Sequence, residues 1–349
     1  MKIIYGYSVE TQGTDPLLAM INRMMQHFSQ ASPPLSWMVD ILPILRHLPE
    51  GFPGAGFRKT AREWAQNVRG VANIPYSFVK KQVNYGTHLP SYVSSVIERS
   101  DTLSAEDEHV IKYTAGAMYG GGSDTTVSTL NSFVLAMVLF PEVQRKAQEE
   151  IDQVTGGTER LPGFEDRERL PYVNALIKEA LRWIPVISMG IPHSADEEIV
   201  YGGYRIPKGS YLLPATWWLL HDPQTYSNPS VFDPTRFLEP RNEPDPEAHA
   251  FGYGRRVCPG RYLAVDSLFI TIVRMLATLK IGKAVDEDGN EMEARYEILP
   301  GTLSFPRPFP YVVKTRSLAH ADLIRSAEAE CPQEVGDAVH IADELRKSW

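Results

Sequence analysis

The segment Phe251-Gly252-Tyr253-Gly254-Arg255-Arg256-Val257-Cys258-Pro259-Gly260 constrains this chain more than any other stretch. It sets one cysteine in a loop of glycines and arginines, directly before an apolar run over residues 261–280 that reads as a helix. Glycines accept positive φ and let the backbone come close to a flat cofactor. A cysteine held there as a thiolate is the soft, electron-donating axial ligand that a haem iron takes. Arg256 adds a positive charge for an anionic cofactor edge. The plain alternative is a buried, inert cysteine. Against it stand six specified positions, Phe-Gly-x-Gly-x-Arg-x-Cys-x-Gly, which coincide by chance in a chain this long on the order of once in a hundred thousand.

The remaining composition narrows the classes. A chain of 349 residues, 43% hydrophobic, suits one large globular domain or at most two. The formal charge of −8 and the lack of a basic run speak against nucleic acid as a partner. Only Cys258 and Cys331 occur, so no disulfide framework is expected and a reducing, intracellular setting is implied. No run of 18 apolar residues predicts a transmembrane helix. The start, Met1 to Tyr7, turns polar at Ser8 and Glu10 and does not read as a signal peptide.

Hydrophobic periodicity predicts a mainly α fold with small β-sheets. Residues 1–100 read as short helices broken by proline, among them an amphipathic one from Asp15 to Gln30 that Pro33-Pro34 closes. Trp37 to Leu45 forms an apolar patch with little charge. It reads either as core or as a surface that dips into a membrane interface. A very long helix is predicted over Ala105–Phe140, with Ser104 and Asp107 as a capping pair and Pro141 ending it. A second runs over Glu142–Val154 to a Gly156-Gly157 cap, and a third from Tyr172 to Trp183, stopped by Pro185. Residues 186–216 alternate as a small sheet, 222–246 meander, and 286–315 look like hairpins. The predicted organisation is one domain over residues 1–316 and a polar, peripheral tail over 317–349.

Gly120-Gly121-Gly122-Ser123-Asp124-Thr125-Thr126 sits at the centre of the long helix. Three glycines there cost roughly 2–3 kcal/mol relative to alanine, so tertiary contacts must hold the helix or something must need the room. A packing site against another backbone is one reading. A phosphate loop is disfavoured, because no Lys precedes the Ser/Thr pair. Glu179 and Arg182, three apart, share one helix face.

In this order along the chain, the glycine-Asp-Thr-Thr segment, Glu179-x-x-Arg182, Pro234-Thr235-Arg236-Phe237 and the Cys258 loop resemble the cytochrome P-450 haem-thiolate monooxygenases. The resemblance implies their fold and a haem b held by the Cys258 thiolate, with Phe251, Gly252 and Gly260 around it. Arg256 and His193 would face the propionates. It implies Thr125 as a hydrogen-bond donor and Asp124 as a proton relay for oxygen activation. Glu179, Arg182 and Arg236 become a buried structural triad. Met118, Tyr119, Val186, Ile187, Met189 and Thr302 would line the substrate pocket, along with Ala117, Ser188 and Leu303. Electrons would come from NADPH through a cytochrome reductase, docking on a basic patch at Arg255 and Arg261. The implied activity inserts one oxygen atom of O2 into a lipophilic small molecule.

Leu161-Pro162-Gly163-Phe164 and Leu170-Pro171-Tyr172 resemble fungal secondary-metabolism members, which act on terpenoids or polyketides. Such relatives sit on the cytosolic face of the endoplasmic reticulum through an N-terminal anchor. That anchor, a first sheet and a helix with a Trp-x-x-x-Arg contact to a propionate have no counterpart here, since Gln66, Asn67 and Val68 follow Trp64 and no Arg stands fourth. The chain is therefore expected to be shortened at the front, and a catalytically silent remnant is the alternative. A haem-thiolate isomerase or dehydratase is a third reading, disfavoured by Asp124-Thr125.

Overall fold

The computed structural model describes every residue except Pro34, Glu50, Asp101, Ser348 and Trp349, so the expected closing role of Pro34 lies outside the described residues. By contact the chain divides into two compact units, Met1–Asp124 with Cys331–Trp349, and Thr125–Glu330.

The first unit is helical. Helices α1 (Lys2–Tyr5), α2 (Pro16–Ala31), α3 (Met38–Ile41), α4 (Gly56–Tyr85) and α5 (Tyr92–Glu98) precede the long α6 (Ala105–Leu139). Asp15 starts α2, its carboxylate accepting from the amides of Leu17 and Leu18 at 2.9 and 3.0 Å. Leu17, Met20 and Ile21 then bury one face of α2 against Val71, Ile74, Phe78 and Val79 of α4. Helix α4 corrects the expectation of short, proline-broken helices: it runs 30 residues with Pro75 inside. Its buried face outweighs the hydrogen bond that Pro75 removes. Ser104 caps α6 as predicted, with Oγ accepting from the Asp107 amide at 3.1 Å and the Ser104 amide donating to Asp107 at 3.0 Å. The apolar patch resolves as well. Trp37 packs edge-on against Trp64, with ring centroids 5.5 Å apart, while Met38, Ile41, Leu42 and Ile44 stand exposed.

The second unit opens with the rest of α6. Pro141 ends it, and α7 (Pro141–Thr155) leaves at a bend of 105°. Helix α8 (Pro171–Trp183) follows, and then two antiparallel pairs. Strand β1 (His193–Ser194) pairs with β4 (Tyr211–Leu212), and β2 (Ile199–Tyr201) with β3 (Tyr204–Ile206), the latter around a Gly202-Gly203 turn. Short helices α9 (Thr216–Leu220) and α10 (Glu247–Ala250) bracket the meander. Helix α11 (Arg261–Thr278) ends two residues before its predicted limit, because Leu279 begins β5 (Leu279–Lys283), paired with β6 (Tyr311–Thr315). Between them, the predicted hairpins reduce to single bridges, Val285 with Glu291 and Ile298 with Pro306. The core is a cluster in which Phe133 and Met137 of α6, Leu176 and Trp183 of α8, and Phe269 and Ile272 of α11 are buried together.

Residues beyond 317 are not loose chain. Helix α12 (Leu318–Glu330) packs along α11 and β6, with His320 buried. Residues past Cys331 belong to the first unit: Asp337 accepts from the Ser8 amide at 2.8 Å, and Ile341, just before α13 (Ala342–Lys347), is fully buried.

Candidate haem-thiolate site

Three features carry the candidate residues, two in the second unit and one in α6, where Asp124 closes the first unit and Thr125 opens the second. The first is the cysteine loop. It folds back because the Cys258 amide donates to the Phe251 carbonyl at 2.8 Å. Gly252 and Gly254 take φ of 79° and 54°, which side chains resist. Gly260 lies beside the sulfur, where a Cβ would make an ordinary contact 3.9 Å from Sγ. Cys258 is half-buried, between exposed Arg255 and Arg256 on one side and exposed Pro259 and Gly260 on the other. Tyr262 and Leu263, at the start of α11, are apolar and exposed.

The donor chemistry of this loop suits haem. The described residues contain no group of three His, Cys, Asp or Glu able to hold a metal among themselves. A lone soft sulfur donor suits a metal that arrives with its other ligands, as haem iron does. His193 lies exposed on β1, opposite Leu212, as a further candidate for an anionic edge.

The second feature is the triad. Glu179, Arg182 and Arg236 are all fully buried. Arg182 grips both Glu179 oxygens, Nε to Oε2 at 2.7 Å and Nη2 to Oε1 at 2.9 Å, while Arg236 Nε reaches Oε1 at 3.0 Å. The guanidiniums also tie the meander to α8. Arg182 donates to the Leu220 and Pro229 carbonyls at 2.9 and 2.8 Å, and Arg236 to Ser227 and Val231, each at 3.0 Å. Burial pushes the Glu179 carboxyl up, and the paired guanidiniums oppose that push. Sequence reasoning missed two members of this network. The Asp233 amide donates to Glu179 at 2.8 Å, and Glu243 accepts from Arg236 at 2.7 Å. Asp233 is legible in hindsight as the cap before Pro234, whereas nothing in the sequence marks Glu243.

The third feature is α6. Asp124 and Thr125 are both half-buried, and burial holds the Asp124 carboxyl above the usual carboxylate range, partly offset by Ser123. Met118 is exposed, but Tyr119 leans on Tyr5 of the first unit, ring centroids 6.4 Å apart. Burial, with Asp124 and Asp15 nearby, pushes the Tyr119 phenol up to about 12. Val186, Ile187, Met189 and Thr302 fall in the second unit. Val186 and Ile187 are half-buried, Met189 is exposed, and the Val186 carbonyl accepts from the Ser304 amide at 2.8 Å. A groove of about 320 Å³ in this unit, lined by Glu142, Lys146, Tyr172, Phe232, Asp233 and Thr235, holds none of the residues expected to bind haem or line the substrate pocket.

The chain is also similar in sequence to known proteins. Residues 1–299 match the family described as Cytochrome P450. The chain is 48% identical over 346 residues to the "Multifunctional cytochrome P450 monooxygenase af510" of Aspergillus fumigatus, covering 97% of this chain and 64% of that protein. It is 49% identical over 345 residues to "Cytochrome P450 monooxygenase CLM2" of Gibberella zeae, covering 97% of this chain and 65% of the relative. With "O-methylsterigmatocystin oxidoreductase" of Aspergillus flavus it shares 40% over 346 residues, 98% of this chain and 64% of the relative. The chain belongs to the cytochrome P450 family. It spans slightly less than two thirds of the length of these relatives. The family implies haem with a cysteine thiolate ligand.

Proposed function

We propose that this protein is a haem-thiolate monooxygenase that acts on a lipophilic small molecule, a terpenoid or polyketide of secondary metabolism. The observation that carries the proposal is the lone, half-buried Cys258 sulfur on a glycine-shaped loop, in a chain of this family. When bound, haem supplies the reduction of dioxygen and the transfer of one oxygen atom. The balance is one substrate, one O2, two electrons and two protons giving a hydroxylated product and water.

The chain's own residues do the rest. Cys258 donates its sulfur to the metal, and Phe251, Gly252 and Gly260 shape the loop around it. Arg256 and His193 offer positive charge and hydrogen bonds to the carboxylates of the cofactor. Asp124 holds and passes protons, to which its raised carboxyl is suited, and Thr125 donates the final hydrogen bond. Met118, Tyr119, Val186, Ile187, Met189 and Thr302 select the substrate. Electrons arrive from NADPH through a reductase that docks on exposed Arg255 and on Arg261, whose guanidinium stacks 4.6 Å from the Tyr262 ring.

No single helix among the described residues is long and apolar enough to cross a membrane. The exposed set Leu35, Met38, Ile41, Leu42 and Ile44, beside Arg46, supports peripheral contact with the cytosolic face of the endoplasmic reticulum. Nothing among the described residues favours a silent remnant, because the cysteine loop, the triad and the Asp124-Thr125 pair are all present.

The deciding experiment is a carbon monoxide difference spectrum of the reduced, haem-reconstituted chain, beside Cys258→Ala. A strongly red-shifted Soret band, lost in the variant, is expected. Survival of the band in Cys258→Ala, or no haem uptake by the unaltered chain, would overturn the proposal.

A further inference from the structure

Three stretches of the second unit, in α6, after α8 and in the loop before β6, meet on serine hydroxyls. Ser128 lies three residues past Thr125, close to the same face of α6, and is fully buried. Its Oγ donates to the Ser304 carbonyl at 2.7 Å. The Ser304 amide donates to the Val186 carbonyl at 2.8 Å, and its Oγ lies 2.7 Å from Ser188 Oγ. The Ser188 carbonyl in turn accepts from the Trp217 amide at 2.7 Å. Either hydroxyl of the Ser188–Ser304 pair can be the donor, and Ser304 is only 3% exposed.

We infer that Ser304 is a specificity-determining positioning residue. Its backbone joins α6 to the stretch after α8, and its hydroxyl sets the spacing between Val186–Met189 and Thr302–Leu303. That spacing fixes the width of the pocket these stretches line. The pocket's role rests on the monooxygenase reading above, but the serine clamp does not.

Ser304→Ala keeps both backbone bonds and removes only the hydroxyl link, so it isolates the claim. Binding of imidazole, 4-phenylimidazole and clotrimazole is read from the haem spectrum of the reconstituted full chain. Imidazole affinity and the carbon monoxide band are expected unchanged, while the ratio of clotrimazole to 4-phenylimidazole affinity shifts by about fivefold, the weight of one net hydrogen bond. Ser188→Ala is expected to give the same shift, and the double variant no more than either alone. An unchanged ratio, or all three probes weakened by one factor, would overturn the inference. A second readout needs no haem: amide exchange at Gly190, Ala215 and Trp217 is expected to quicken in Ser304→Ala. Unchanged protection there would sink the clamp whatever becomes of the monooxygenase reading.

Discussion

Asp124 carries opposing demands on one side chain. Burial raises its carboxyl pKa, so the folded chain binds that proton more tightly than the unfolded chain does. Such a group stabilises the fold below its unfolded pKa and loses that contribution as pH rises through the raised folded value. Asp124→Asn is thus expected to match the unaltered chain near pH 3 and to exceed it in urea resistance at pH 7. A difference independent of pH would contradict this. The same variant should yield less product per NADPH, as should Thr125→Ala, if the pair delivers protons. Full coupling in Thr125→Ala would refute its role. At this scale the sequence marked the chemical groups well, because Cys258, Asp124 and Glu179 are specified by residue type and neighbours. It did not mark Glu243 or Ser304, whose partners are reached only through folding.

Helix α6 shows what an element adds. A Cβ on Gly121 or Gly122 meets nothing within 4 Å among the described residues, whereas one on Gly120 comes 3.2 Å from Met25 Sδ and 3.3 Å from Met24 Cε. Gly121→Ala and Gly122→Ala should each stabilise the chain by about 1 kcal/mol in thermal melts. Gly120→Ala should gain less or lose, and equal gains at all three positions would show that the Met24 and Met25 contact does not matter. The limits of α7 and α8 were legible from Pro141, Gly156 and Pro185, since caps and breakers act within one turn. Helix α4 was not, because Pro75 is a breaker locally and only the packing of Val71, Ile74, Phe78 and Val79 overrides it.

For the molecule as a whole, two long-range ties dominate. Glu179→Gln leaves Arg182 buried without its counter-charge and Arg236 with Glu243 alone, at a cost of about 3–5 kcal/mol. A urea midpoint within experimental error of the unaltered chain would show that the triad is not what holds the meander. Ile341→Ala, in the stretch taken from sequence for a peripheral tail, should cost about 2–5 kcal/mol, because a fully buried side chain leaves a cavity. A neutral effect would restore the view of that stretch as peripheral.

Residue type and short-range spacing settle the mostly helical class, the helix ends set by local caps and the identity of the groups able to do chemistry. Long-range packing alone puts Pro75 inside a helix, makes Ile341 core, and brings Ser128, Ser188 and Ser304 together. Ser304 stands 176 residues from Ser128 and 116 from Ser188, and a hydrogen bond across such a separation is set by how the whole unit packs.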